Sequence, residues 1–142
     1  IEENGGIKLF LLIMLFDYIL AFTSIGLAGF APRFCKTQVS SVAVGSLIGL
    51  FARYICHTLS GFLFFGDYAE WFFGEQVPWG GWFLSTFHGK VLSLVYSIVY
   101  NGLYMIPEMI LTAVVGGILA KALSKQIAAN RTNIAPKALR NA

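Results

Sequence analysis

Apolar positions in this chain come in blocks far longer than a soluble helix needs. Three stretches stand out: Ile7–Phe30, Ser41–Phe65 and Val91–Leu123. Their polar interruptions are few: Lys8 and Asp17 in the first, Arg53 and His57 in the second, and Asn101, Glu108 and Lys121 in the third. Each block exceeds the ~20 residues that carry a helix across the hydrocarbon of a bilayer, so the pattern predicts three transmembrane helices. As a straight rod the third would run roughly 50 Å, more than that hydrocarbon requires. Pro107 inside it predicts a kink, because proline donates no backbone hydrogen bond and its ring collides with the preceding turn.

The connections differ in character. Ala31–Ser40 is short and carries Arg33 and Lys36. Gly66–Lys90 combines Asp67, Glu70 and Glu75 with Gly74, Gly80, Gly81 and Pro78, and with Trp71, Trp79 and Trp82. Its glycines and charges are too frequent for a fourth span, and its tryptophans suit the membrane–water boundary. An interfacial or re-entrant loop is expected there. No internal repeat is visible.

Composition agrees with the pattern. Of 142 residues, 57% are hydrophobic and only 12% charged, about half the charged share of an ordinary soluble domain. A soluble fold of this length lacks the interior to hide so much apolar surface. Disordered, nucleic-acid-binding and disulfide-scaffold classes are excluded on the same ground. Cys35 sits in a loop and Cys56 in an apolar run, and neither is part of a metal-binding spacing, so neither a disulfide nor a zinc site is expected. The fold class is therefore all-α, a single polytopic membrane domain over residues 1–142. Five of the ten Lys and Arg lie at or beyond Lys121. The positive-inside rule then puts the Arg33/Lys36 loop and the tail 125–142 in the cytoplasm, and the acidic Trp-rich loop outside. The Asn130-Arg131-Thr132 triplet matches a glycosylation acceptor, but it falls on the cytoplasmic side and is set aside.

Ionisable groups inside hydrocarbon are costly, and each marks a candidate site. With this orientation Asp17 and Tyr18, His57, and Tyr96 with Asn101 come from three helices to one level, nearer the outer surface. The structural alternatives are an Asp17–Arg53 or Arg53–Glu108 ion pair that only joins helices, and a Gly45/Gly49 pair that lets helices approach closely. The catalytic signatures are missing: no P-loop, no dinucleotide glycine pattern, no HExxH, no CxxC and no GxSxG. One acid, one histidine, one amide and many aromatic rings suit a small planar cation, which aromatic faces attract and a carboxylate neutralises.

Three ordered blocks carry a family resemblance. Asp17-Tyr18-Ile19-Leu20-Ala21-Phe22 with Gly26-Leu27-Ala28-Gly29 is the first. Ala52-Arg53-Tyr54-Ile55-Cys56-His57-Thr58-Leu59-Ser60-Gly61, continuing to Phe64-Phe65-Gly66-Asp67-Tyr68-Ala69, is the second. The third is Tyr96-Ser97-Ile98-Val99-Tyr100-Asn101-Gly102-Leu103-Tyr104-Met105-Ile106-Pro107-Glu108. Together they resemble the thiamine-specific substrate-binding (S) component of energy-coupling factor (ECF) transporters. The resemblance implies a non-enzymatic uptake subunit in a bacterial cell membrane, with no cofactor and no metal. It implies thiamine as ligand, and as partners a transmembrane T subunit and two cytosolic ATPases. By the same resemblance Asp17, Tyr18, His57, Phe65, Tyr96 and Asn101 line the pocket, and Gly61 gives close backbone access to the ligand.

The family has six helices and this chain shows three. An upstream trio carrying further pocket aromatics and the T-subunit face is therefore expected. The Trp-rich loop is longer than the family suggests, so Trp79 and Trp82 are either a lid over the pocket or interface anchors. Two readings stand beside this one: an S component for another vitamin or a thiamine precursor, and a structural membrane subunit whose polar groups merely join helices. An intramembrane enzyme lacks the catalytic residues.

Overall fold

The structure is a computed structural model and describes residues 3–126. The tail beyond 126, with the Asn130 triplet, lies outside the described residues. Among these the chain is helical with no strand. Three helices are long and apolar enough to cross a membrane: α1 (Gly6–Arg33), α2 (Gln38–Phe64) and α4 (Gly89–Ala122). Each predicted stretch agrees with its helix to within three residues at either end.

α1 is not uniform. A π turn over Leu15–Leu20 breaks the α register at Asp17 and Tyr18. A nine-residue 3-10 segment, Ile25–Arg33, with Pro32 inside it, closes the helix. Runs of 3-10 geometry are normally shorter. This one is packed closely against α2, as the glycines show. A Cβ built on Gly45 would lie 3.0 Å from the Ala28 carbonyl oxygen, and one on Gly49 3.0 Å from that of Ile25. The GxxxG pair thus does what its spacing predicts, letting two backbones meet. α2 starts at a capping box: Ser40 N–H donates to Thr37 Oγ1 at 3.1 Å, and Thr37 N–H donates back to Ser40 Oγ at 3.3 Å.

α2 is the central helix. α1 and α4 both pack along it and touch each other little. α4 remains assigned as one helix through Pro107, so the proline is accommodated without ending it. Many large side chains of α1 and α4 face outward, Ile19 and Leu111 among them, each at least 60% exposed. In water such a surface would aggregate; in lipid it carries no penalty, and the chain is a membrane protein.

The Trp-rich connection does not span. It is a 3-10 turn (Gly66–Tyr68), short turns over Ala69–Trp71 and Phe72–Gln76, and a six-residue helix α3 (Gly81–Thr86). It nevertheless holds the main apolar cluster, with Ala69, Phe72 and Phe73 buried against Leu92 and Tyr96 of α4. Phe73 and Phe83 stack face to face at 4.7 Å. Gly80 has no room for a Cβ against the Phe73 carbonyl, so only glycine lets the loop fold back on itself.

These contacts predict a graded effect of glycine substitution. Gly49→Leu drives a branched side chain into the Ile25 backbone and should destabilise the protein by about 1–3 kcal/mol. Gly26→Ala, where an added Cβ has nothing within 4 Å, should be neutral or better. Thermal unfolding of both variants in detergent checks this; equal melting temperatures would refute the close-packed seam.

Candidate functional site

α1 and α4 both pack on α2 but diverge from each other, leaving a cleft whose floor is α2. At the end of α2 nearest the Trp-rich connection this cleft becomes a cavity of about 470 Å³. All seven residues singled out from the sequence line it: Asp17 and Tyr18 from α1, His57 and Gly61 from α2, Phe65 just after it, and Tyr96 and Asn101 from α4. Ile13, Phe22, Arg53, Tyr100 and Tyr104 complete the wall. Of these, the tyrosines left a signal in the sequence. Tyr96, Tyr100 and Tyr104 recur every four residues and so share one helix face. Phe22 and Ile13 left none, because their inward direction follows from the π turn between them.

α2 presents its polar groups on one face, since Arg53, His57, Ser60 and Gly61 are spaced at helical intervals. Asp17 meets two of them. Its Oδ1 lies 2.9 Å from His57 Nδ1, and its Oδ2 accepts from Ser60 Oγ at 2.9 Å. On the other side of the imidazole, Arg53 Nε donates to His57 Nε2 at 3.3 Å. A guanidinium can only donate, so Nε2 is the acceptor and Nδ1 carries the proton toward Asp17. In this hydrogen-bonding pattern the imidazole is the neutral tautomer with its proton on Nδ1. Arg53 spends its charge elsewhere: Nη1 donates to Glu108 Oε1 at 2.9 Å, and the guanidinium lies 5.1 Å from the Phe22 ring centroid.

The charge count follows. Of the two ion pairs open from the sequence, Arg53–Glu108 forms, and Asp17 keeps only neutral donors. Arg53 cancels Glu108, and Asp17 is left with one uncompensated negative charge in a largely apolar cleft. Its side chain is 20% exposed. A carboxylate in such surroundings is expensive without a cation.

Asn101 plays a different part from a free ligand-reading amide. Its Nδ2 donates to Ser97 O at 2.8 Å and lies 3.3 Å from His57 O, while its Oδ1 accepts from Tyr104 Oη at 2.6 Å. It ties α4 to the α2 backbone beside His57 and aims Tyr104. Gly61 serves the same junction. A Cβ there would collide with Ser97 Oγ and lie 3.3 Å from Asn101 Nδ2, so the missing side chain admits α4 as well as opening the cavity.

Trp79 and Trp82 do not line the cavity. They pack edge-on to Phe83, at 5.5 and 4.9 Å between ring centroids. The loop reaches the cavity from behind, through Phe72, which meets Tyr96 at 5.3 Å and Tyr100 at 5.6 Å, both edge-on. It is a buttress for the tyrosine wall rather than a lid. Among the described residues no group of three His, Cys, Asp or Glu side chains could hold a metal. One carboxylate held by two side-chain donors among aromatic rings is chemistry that suits a small flat cation.

The chain is 36% identical over 112 residues to the thiamine transporter ThiT of Bacillus subtilis (strain 168), an overlap of 72% of this chain and 48% of that protein. It thus spans about half the length of the curated relative it matches. No solved structure matches significantly. The family described as thiamine transporter protein (Thia_YuaJ) matches residues 4–77 of the 142. With more than half of its residues inside that match, the chain belongs to the thiamine transporter protein family.

Proposed function

We propose that this chain forms the ligand-holding part of a thiamine-specific S component of an ECF transporter. It takes thiamine from outside the cell and passes it to an ATP-driven partner module. The observation that carries the reading is the surplus negative charge of Asp17 inside an aromatic cleft. The thiazolium ring of thiamine is a permanent cation, and its aminopyrimidine is a second flat ring with polar edges. Asp17 supplies the countercharge, the tyrosines and Phe65 supply faces for stacking and cation–π attraction, and Tyr18 and Tyr104 supply hydroxyl groups. The family assignment and the name of the Bacillus relative support the same ligand.

Orientation follows from charge. The Arg33/Lys36 connection and the C-terminus are cytoplasmic, the Trp-rich connection is outside, and the cavity sits in the outer half of the membrane. The tryptophans of that connection, Trp71, Trp79 and Trp82, are about half exposed or more and anchor that end in the headgroup region. The T subunit and two cytosolic ATPases are the partners that such a component needs, because a binding site alone shifts populations only by its differential affinity for two states. Mass spectrometry of the ligand released from the purified full-length protein tests the reading: thiamine supports it, and a different vitamin or no ligand overturns it.

Three outcomes are expected. Asp17→Asn removes the charge, keeps an oxygen acceptor for His57 Nδ1 and turns its NH2 toward Ser60 Oγ, which can accept in turn. It should weaken thiamine binding at least tenfold, about 1.4 kcal/mol, in a calorimetric titration with little change in melting temperature. Asn101→Leu removes the Nδ2 bonds to Ser97 O and His57 O and leaves Tyr104 Oη without its acceptor. It should lower both stability, by about 1–3 kcal/mol, and thiamine affinity, whereas Tyr104→Phe should lower affinity alone. Full-length protein reconstituted alone in liposomes should bind radiolabelled thiamine without accumulating it, and accumulation should require the T subunit, the ATPases and ATP. Concentrative uptake by the protein alone would make it a secondary transporter.

A further inference from the structure

We infer that Glu108 is a specificity-determining positioning residue: it sequesters Arg53, and thereby keeps the ligand cavity negative and selective for a cation. This rests on the thiamine reading above and deepens it.

The geometry poses a question about Arg53. Its guanidinium is in the cavity wall beside His57, whose other ring nitrogen lies against Asp17. A long, flexible cation so placed is the natural partner for Asp17, and an Asp17–Arg53 pair would fill the site with its own counterion. Such a pair does not form. Nη1 is drawn away to Glu108 Oε1 at 2.9 Å. Nε is used on His57, and the guanidinium rests 5.1 Å from the Phe22 ring centroid. Three neighbours on three helices therefore hold the cation off the carboxylate. Glu108 supplies the only charge among them.

Glu108 stands outside the ligand cavity. It lines a second, larger cavity of about 730 Å³ at the Arg33/Lys36 end, together with Lys36, Gln38, Ser46 and Thr112. The Arg53–Glu108 pair is thus the partition between the two cavities, with Arg53 in one wall and Glu108 in the other. Glu108 has no need to touch the ligand to act. It decides where the positive charge of Arg53 resides. With Glu108 charged, the ligand side holds Asp17 alone. With Glu108 neutral, Coulomb attraction in a low-dielectric cleft draws Arg53 to Asp17, and the guanidinium competes with a cationic ligand for the same carboxylate. Glu108 thus acts by withdrawing a competing counterion rather than by adding a contact to the ligand.

The test compares two ligands on purified full-length protein: thiamine, and an analogue whose thiazolium is replaced by an uncharged thiophene ring. Glu108→Gln should weaken thiamine at least tenfold and change the neutral analogue less than threefold, so the preference for the cation collapses. Binding of the analogue also reports that the variant is folded. Combining it with Arg53→Gln removes the freed cation, and the double variant should recover most of the thiamine affinity lost in E108Q. If E108Q does not fold, Glu108→Asp, which keeps the charge but withdraws it by one methylene, should show a smaller loss confined again to thiamine.

An ion pair that merely joins helices predicts otherwise: a fall in melting temperature, equal losses for both ligands, and no recovery in the double variant. Those results would overturn the inference while leaving thiamine binding by the wild type intact. Failure of the wild type to bind thiamine would instead remove the functional reading on which it rests.

Discussion

A single negative charge with no positive partner organises this protein. Asp17 sits in the wall of a cleft built from apolar and aromatic side chains, and each oxygen of its carboxylate meets one neutral donor. Hydrogen bonds from a neutral imidazole and a hydroxyl lower the cost of placing the charge there without cancelling it. The remaining attraction is available to whatever cation enters. His57 Nδ1 and Ser60 Oγ meet the carboxylate, while Arg53 is paired with Glu108.

That arrangement needs helices at unusual separations, and glycine sets them. At the Arg33/Lys36 end, Gly45 and Gly49 bring the 3-10 part of α1 against α2, backbone to side-chain-free backbone. At the other end, Gly61 admits Ser97 and Asn101 of α4. α2 is therefore clasped on two faces at opposite ends. The cleft opens where α1 and α4, each tied to α2, have no tie to each other. Interhelical hydrogen bonds reinforce the α2–α4 side, with Ser97 Oγ donating to Thr58 O at 2.7 Å and Tyr54 Oη to Ile98 O at 2.8 Å. In lipid, where apolar burial drives little helix association, small residues and such bonds are what remains.

The Trp-rich connection takes its meaning from the same cleft. Its aromatic residues form a buried apolar cluster with α4, yet none of its residues between Gly66 and Lys90 lines the ligand cavity. Phe72 fixes the rings of Tyr96 and Tyr100 from behind. A flat ligand stacks well only against rings that do not turn away, and edge-on packing supplies that rigidity.

The sequence by itself determined the three spans, because twenty or more apolar residues in a row have few other fates. It also singled out the groups that meet at the cavity. An acid, a histidine and a buried amide stand out against hydrocarbon whatever the fold, and the helical spacing of Arg53, His57 and Gly61 already put them on one face of α2. The GxxxG pair announced a close helix contact. Only the tertiary structure decided how these charges pair. Arg53 is equally available in sequence to Asp17 and to Glu108, and the choice rests on where α1 and α4 sit around α2. The π turn at Asp17 was equally hidden, since it adds a residue to one turn with no sequence mark of its own, and it turns Ile13 and Phe22 toward the cleft. Whether Trp79 and Trp82 cover the cavity or pack on their own loop was open as well, until Gly80 folded that loop onto Phe73. Periodicity fixes which side of a helix a residue occupies, but ion pairing depends on distances of a few ångströms between helices, and those are set by packing.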